Sequence, residues 1–203
     1  MYRYILLVSY FISIWGCNSN TTEEIEFQSL NVEEIEIKCP KNWIRKYNDK
    51  ALLAFKLDSI AKFEYFIIMK TLVSPELMSI DDYLCKSLEK ASNSSKYDLL
   101  GTSYHKVELK SGLICFAGHE LTNYQNRKYI SLNVISQIDS FYYKISLNIK
   151  ENEVEKYSYD FNNILDNLII NNIKMNQSEV IRKIKIKTDS LCNTEFNSIK
   201  SFI

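Results

Sequence analysis

Glycine and proline are scarce in this 203-residue chain, four and two residues, and histidine occurs only twice. Nucleotide-binding loops need clustered glycines so that the backbone can approach phosphate. Gly16, Gly101, Gly112 and Gly118 are scattered, so no such loop is expected. With 46% hydrophobic residues, collagen-like and wholly disordered chains are also excluded. An excess of one charge is lacking too, since 25 Lys and Arg stand against 25 Asp and Glu. Nucleic acid binding rests on basic side chains neutralising phosphates, and bulk charge gives no reason to expect it here. A chain of this length buries roughly 70% of the surface it exposes when unfolded. One domain can therefore stand without a disulfide scaffold or a structural metal.

What is present first is an address. Arg3 is the only charge before an apolar-to-small run from Ile5 to Gly16 that ends at Cys17. The run is much shorter than the ~20 residues that cross a bilayer as a helix, so it reads as a secretory signal that is removed. Ser13-Ile14-Trp15-Gly16-Cys17 resembles the lipobox of bacterial lipoproteins. That resemblance implies cleavage after residue 16 and acylation of Cys17, with a diacylglycerol on the thiol and a further chain such as palmitate on the freed amine. Two or more acyl chains hold a protein stably on a membrane where one does not. The mature chain would carry 24 basic against 25 acidic residues. Residues 17–32 read as a polar tether, and Asn18, in place of a retention aspartate, points by the same resemblance to the outer membrane.

Residues 33–173 read as one α+β domain, an antiparallel sheet of about six strands with helices packed on it. Ile35, Ile37 and Cys39 alternate with Glu36 and Lys38 up to Pro40, which marks a strand. Leu52 to Asp58 and Phe63 to Leu72 follow, the second apolar on both parities and so expected to be covered on both faces. Ser79 with Asp82 opens a helix whose stripe is Ile80, Tyr83, Leu84, Leu88 and Ala91. Tyr97 to Lys110 and Leu113 to Tyr124 form one hairpin, and Lys128 to Ile138 and Phe141 to Ile149 a second. A long helix from about Asn152 to Ile170 completes the domain. In residues 174–203, Ile184 and Ile186 alternate with Lys183, Lys185 and Lys187, as in an edge strand protected by lysines. A basic strip facing anionic lipid is the alternative, and Asp189 to Ile203 is either a docking helix or disordered.

Candidate chemistry is thin. A two-residue turn at Ser111-Gly112 would put His105 and His119 on opposite faces of the hairpin. Cys115 and His119 share a face but stand roughly 13 Å apart in a strand, too far for one zinc. No metal and no cofactor are expected. Three Ser-x-x-Lys strings, at Ser59 to Lys62, Ser87 to Lys90 and Ser103 to Lys106, have the spacing of serine acylases with a lysine base. About two are expected by chance, and no Ser-Asp-Asn or Lys-Thr-Gly partner follows, so no catalytic residue is assigned. Asp81 and Asp82 fit the positive end of a helix dipole. Cys39, Cys85, Cys115 and Cys192 could pair in three ways in an exported chain. The parity of Cys39 and Cys115 with apolar neighbours favours buried thiols.

The element order, with a first strand followed by Pro40-Lys41-Asn42-Trp43, resembles the PsbP-like fold. The resemblance implies an α-β-α sandwich that mostly binds or stabilises protein partners and shares no catalytic set. The sequence thus predicts a lipid-anchored, non-catalytic envelope protein that engages a protein partner, with no enzyme activity and with Cys17 as its one assigned residue, for lipid attachment. The alternative is a carrier of a small apolar or amphipathic ligand in a pocket between sheet and helix.

Overall fold

A computed structural model describes residues 26–58, 63–72 and 77–192. Cys17, the signal segment, the Ser59 to Lys62 string and the end of the chain from residue 193 lie outside the described residues.

Alternation of apolar and polar side chains builds two antiparallel sheets. The small one has the order β1 (Phe27–Val32), β2 (Ile35–Pro40), β10 (Ile169–Ile170), β11 (Ile173–Lys174). The large one has eight strands. Its order runs β12 (Val180–Ile186), β6 (Asp98–Leu109), β7 (Ile114–Tyr124), β8 (Arg127–Ile138), β9 (Phe141–Lys150), β5 (Tyr65–Leu72), β4 (Leu53–Lys56), β3 (Ile44–Arg45). Eight and four strands replace the single sheet of about six that the sequence predicts. Strands of two residues carry no period to read. Phe27–Val32, inside the stretch expected to be tether, pairs along its whole length with β2.

Helices are few. Ser79 caps α1 (Ile80–Ser92) with a full capping box, its hydroxyl accepting from the Asp82 amide while the Asp82 carboxylate accepts from the Ser79 amide. Such caps contribute about 1 kcal/mol. The expected second long helix is shorter, α2 (Val154–Asp166). The chain leaves it through Asn167 because Ile169 and Ile170 join the small sheet against Glu36 and Ile35. After β12 comes α3 (Thr188–Cys192).

One face of the large sheet is apolar and sealed. Phe66 and Ile68 of β5, Ile145, Leu147 and Ile149 of β9, and Ile130 and Leu132 of β8 meet Phe161 and Ile164 of α2 and Ile35 and Ile37 of β2, all buried. Trp43 of the Pro-x-x-Trp motif enters the same core, its ring 5.7 Å from that of Phe66. Cys39 and Cys115 are buried free thiols on this side, with Cys115 pushed by burial up to about 12. Cys85 and Cys192, in contrast, form a disulfide that clamps α3 onto α1 across 107 residues of sequence. The preference for buried thiols is thus right for two cysteines and wrong for the other two.

The first hairpin corrects a register. Its loop has three residues, Lys110-Ser111-Gly112, with Gly112 at φ 81° and Leu109 bonded to Leu113. Gly112 takes the left-handed conformation that closes a three-residue loop. His105 then pairs with Ala117 and His119 with Ser103, so the two imidazoles share the α2-side face instead of lying on opposite faces.

Candidate functional site

The other face of the large sheet is only half covered. Leu84 and Leu88 of α1 pack on Tyr104, Phe116 and Ile135 from β6, β7 and β8. Past that helix the floor of β9, β5 and β4 lies open, and α1 and the β3–β4 hairpin wall a cleft of about 1080 Å³. Its existence corrects the expectation that β5 is covered on both faces. Phe66 and Ile68 are fully buried, but Tyr65, Ile67 and Met69 on the alternate parity are half-buried and line the cleft.

Register explains the lining. Side chains directly opposite across antiparallel strands share a face, so each row crosses the sheet. One row runs Glu120, Ser131, Asn148, Tyr65, Lys56 and the next Gly118, Asn133, Ser146, Ile67, Ala54. The polar members satisfy one another. Ser146 Oγ donates to Asn133 Oδ1 at 2.6 Å, and Ser131 Oγ to Asn148 Oδ1 at 2.6 Å. Asn133 Nδ2 donates to Glu120 Oε1 at 3.1 Å, and Tyr104 Oη donates to the same oxygen at 2.7 Å. Tyr104 reaches Glu120 by lying across Gly118. A Cβ at that position would stand 2.6 Å from the Tyr104 ring and 2.2 Å from the Ser103 carbonyl oxygen, so glycine permits the network.

Lys144 joins the floor to the helix. Its Nζ donates to Ser87 Oγ of α1 at 2.9 Å and stands 3.4 Å from Glu120 Oε1, with both ionic side chains largely buried. This is a serine and a lysine together, but the pair differs from those in the sequence strings. Ser87 is held by Lys144 rather than by Lys90, and Ser103 and Lys106 lie on opposite faces of β6. A nucleophilic serine needs a base whose lone pair accepts its proton. Here the amine donates to the hydroxyl and faces a carboxylate, so the geometry holds α1 to the sheet without activating Ser87. Burial, and after it the nearby Tyr97 and Glu120, push the Tyr65 phenol up to about 12. Burial and Glu120 raise Tyr97 as well. Both tyrosines are neutral at ordinary pH, apolar on the ring and donating at the hydroxyl.

The remaining candidates disperse. Asp82 serves the cap of α1 and Asp81 pairs with Lys106 at 3.4 Å. Lys183 and Lys185 lie on the edge strand β12, as the alternation predicts, beside His105. Among the described residues no group of three His, Cys, Asp or Glu side chains is placed to hold a metal, and no described helix is long and apolar enough to cross a membrane. The residues that build the cleft, Glu120, Asn133, Lys144, Ser146 and Asn148, carry no sequence motif.

A scan against protein-family models and a search of curated proteins find no match to this chain. Solved structures do match in fold. The solution structure of a cyanobacterial PsbP (CyanoP) from Synechocystis is 11% identical, covers 76% of this chain and 96% of its own, and superposes with a TM-score of 0.53. LpqN of Mycobacterium tuberculosis, described as involved in cell envelope biogenesis, is 12% identical over 72% of this chain and 91% of its own, with a TM-score of 0.44. A Pseudomonas aeruginosa protein described as a putative regulator reaches 14% identity and 0.43 over 67% of this chain and 91% of its own. The likeness to CyanoP establishes a shared fold, and the chain is thus similar in architecture to PsbP-like proteins.

Proposed function

We propose that the protein is a non-catalytic binding protein of the cell envelope, anchored by lipid on Cys17, that engages its partner in the cleft beside α1. The address rests on the lipobox-like segment, which favours the outer membrane. The binding reading rests on one observation, the half-covered sheet face. A sheet face left open costs the burial it forgoes, and its floor carries a polar network through Glu120, Asn133, Lys144 and Ser146 with half-buried tyrosines beside it, the kind of concave surface that takes ligands. The recess suits a small ligand or an inserted segment better than a flat protein surface does. It favours the carrier alternative, with lysines and a polar floor set among aromatic and aliphatic side chains such as Tyr65, Ile67 and Met69. The absence of catalysis is supported by the way Lys144 is used.

Photo-cross-linking in intact cells of the native host tests the reading. A photoreactive residue at Tyr47, which is 96% exposed at the cleft rim, is compared with one at Ile181 on the far sheet edge. A reproducible adduct at Tyr47 alone, small molecule or envelope protein, is the expected result. Adducts at Ile181 alone, or at neither position, would refute a role for the cleft. The anchor is checked separately: Cys17→Ala is expected to abolish acyl labelling and release the chain from the membrane fraction.

A further inference from the structure

The charge around the cleft is not that of the whole molecule. The chain is balanced overall, yet the charged side chains lining the cleft are Lys46, Lys56, Lys86, Lys90, Lys96 and Lys144 against Glu64 and Glu120. Both carboxylates are already engaged, Glu120 with Lys144 and Glu64 with Lys150 at 2.6 Å. Among the described residues none of the five rim lysines has a carboxylate within ion-pair distance. They come from both walls: Lys86 and Lys90 one turn apart on α1, Lys96 just after it, and Lys46 and Lys56 from the β3–β4 side. A recess whose unpaired charges are all of one sign focuses its field inward. Thr122 Oγ1, at the floor, is buried without a hydrogen-bond partner, a state that costs about 1 to 3 kcal/mol unless something meets it.

We infer that the cleft binds a small diffusible anion carrying two or more carboxylate or phosphate groups. The inference rests on the cleft being the binding site, and adds the chemical class of what it holds. Lysines from opposite walls each meet one anionic group, which favours a ligand with separated charges over a single ion. The tyrosine rings of Tyr65 and Tyr97 offer apolar faces and hydroxyl donors to its body. The site is a walled recess with its floor on the sheet, so a ligand has to enter it. A headgroup fixed in a bilayer plane presents the same chemistry and fits that shape less well.

The test is titration calorimetry of the full chain purified in detergent, with citrate as the carboxylate probe, inositol hexakisphosphate as the phosphate probe and myo-inositol as the uncharged control. Binding of either anion, weakening as salt rises, is expected, with no binding of myo-inositol. Lys86→Glu/Lys90→Glu should weaken it about tenfold or more, and Lys46→Glu/Lys56→Glu, on the other wall, serves equally should the first variant fail to fold. Lys183→Glu/Lys185→Glu on β12 should leave binding unchanged. Vesicles of phosphatidylglycerol with phosphatidylcholine, added as competitor, distinguish a lipid headgroup from a free anion, and displacement of the soluble probe by the vesicles would overturn the diffusible ligand. Absence of anion binding, or equal losses in the cleft and β12 variants, would overturn the inference. If cross-linking at Tyr47 still captured an uncharged molecule, the cleft would stand as the binding site and the anionic class would fall. If it captured nothing, both would fall.

Discussion

The two faces of the eight-stranded sheet use the same strands for opposite purposes. On the α2 side, successive odd or even residues of β5, β8 and β9 are large and apolar, and a helix and a second sheet seal them from water. On the α1 side, the intervening residues of the same strands are Tyr65, Asn133, Lys144, Ser146 and Asn148, and only half of that surface is covered. Packing density stabilises the first face; hydrogen bonding and one buried ion pair organise the second. The difference separates the face that carries the packing from the face that leaves a cleft. The sealed face can be changed only at large cost, and the open one is held in shape by hydrogen bonds and an ion pair among its own side chains, with the rim lysines outside that network.

The largest effect should come from the sealed face. Phe66 is fully buried against Trp43, Phe55 and Phe161. Phe66→Ala removes that ring from a core that can collapse only in part, and is expected to cost about 3 to 5 kcal/mol in urea unfolding. Met69→Ala, three residues along the same strand but lining the cleft, should cost about 1 kcal/mol or less, because its side chain is half exposed to begin with. Similar costs at both positions would show that the α1-side face is packed as a core, and the contrast between the faces would be lost.

A second effect sharpens the account of the open face. Lys144→Met leaves the Glu120 carboxylate buried without its cation, and its bonds from Tyr104 and Asn133 offset only part of that loss. About 3 kcal/mol is expected. Lys144→Met with Glu120→Gln removes both charges together and should recover most of it, a non-additive cycle measured by the same urea titrations. Additive losses would mean that the two residues act separately.

Sequence legibility follows the same division. The sealed face was readable because apolar side chains recur at every second position: Ile35, Ile37 and Cys39 in β2 and Phe141 to Ile149 in β9 announce their strands and their buried parity. The helix at Ser79 was readable from its capping box. The cleft was not. The two-residue loop between Ile138 and Phe141 already sets Asn133 beside Ser146 and Ser131 beside Asn148, but Lys144, Ser146 and Asn148 look like an ordinary solvated face, and nothing local says that α1 covers only half of it. One extra loop residue at Lys110-Ser111-Gly112 was enough to move His105 and His119 onto one face. The Cys85–Cys192 disulfide was equally hidden, since a separation of 107 residues leaves no local trace. Gly118 gave no sign that the Tyr104 ring must cross it.

The smallest effect concerns the shared histidine face and tests that register directly. His119 is held below the ordinary imidazole value by burial first, then by His105 and Lys185, with Glu120 opposing. His105 is lowered by burial, Lys183 and Lys185. For both groups the folded state binds a proton less readily than the unfolded chain, whose value is about 6.5. Their contribution to stability is therefore complete above about pH 6.5 and is lost as pH falls from there through the lower folded values, because the unfolded state takes up protons first. Asp160 has the opposite sign. Burial raises its carboxyl, so its contribution is present below about pH 4 and is lost as pH rises through the raised folded value. The urea midpoint is expected to be lower at about pH 5.5 than at about pH 7.5, and His119→Gln should reduce that difference while leaving the proposed anion binding in the cleft untouched. An unchanged difference in the variant would place the pH dependence elsewhere. A change in ligand affinity would mean that the two faces of the sheet are coupled, and that the division between a structural face and a binding face is incomplete.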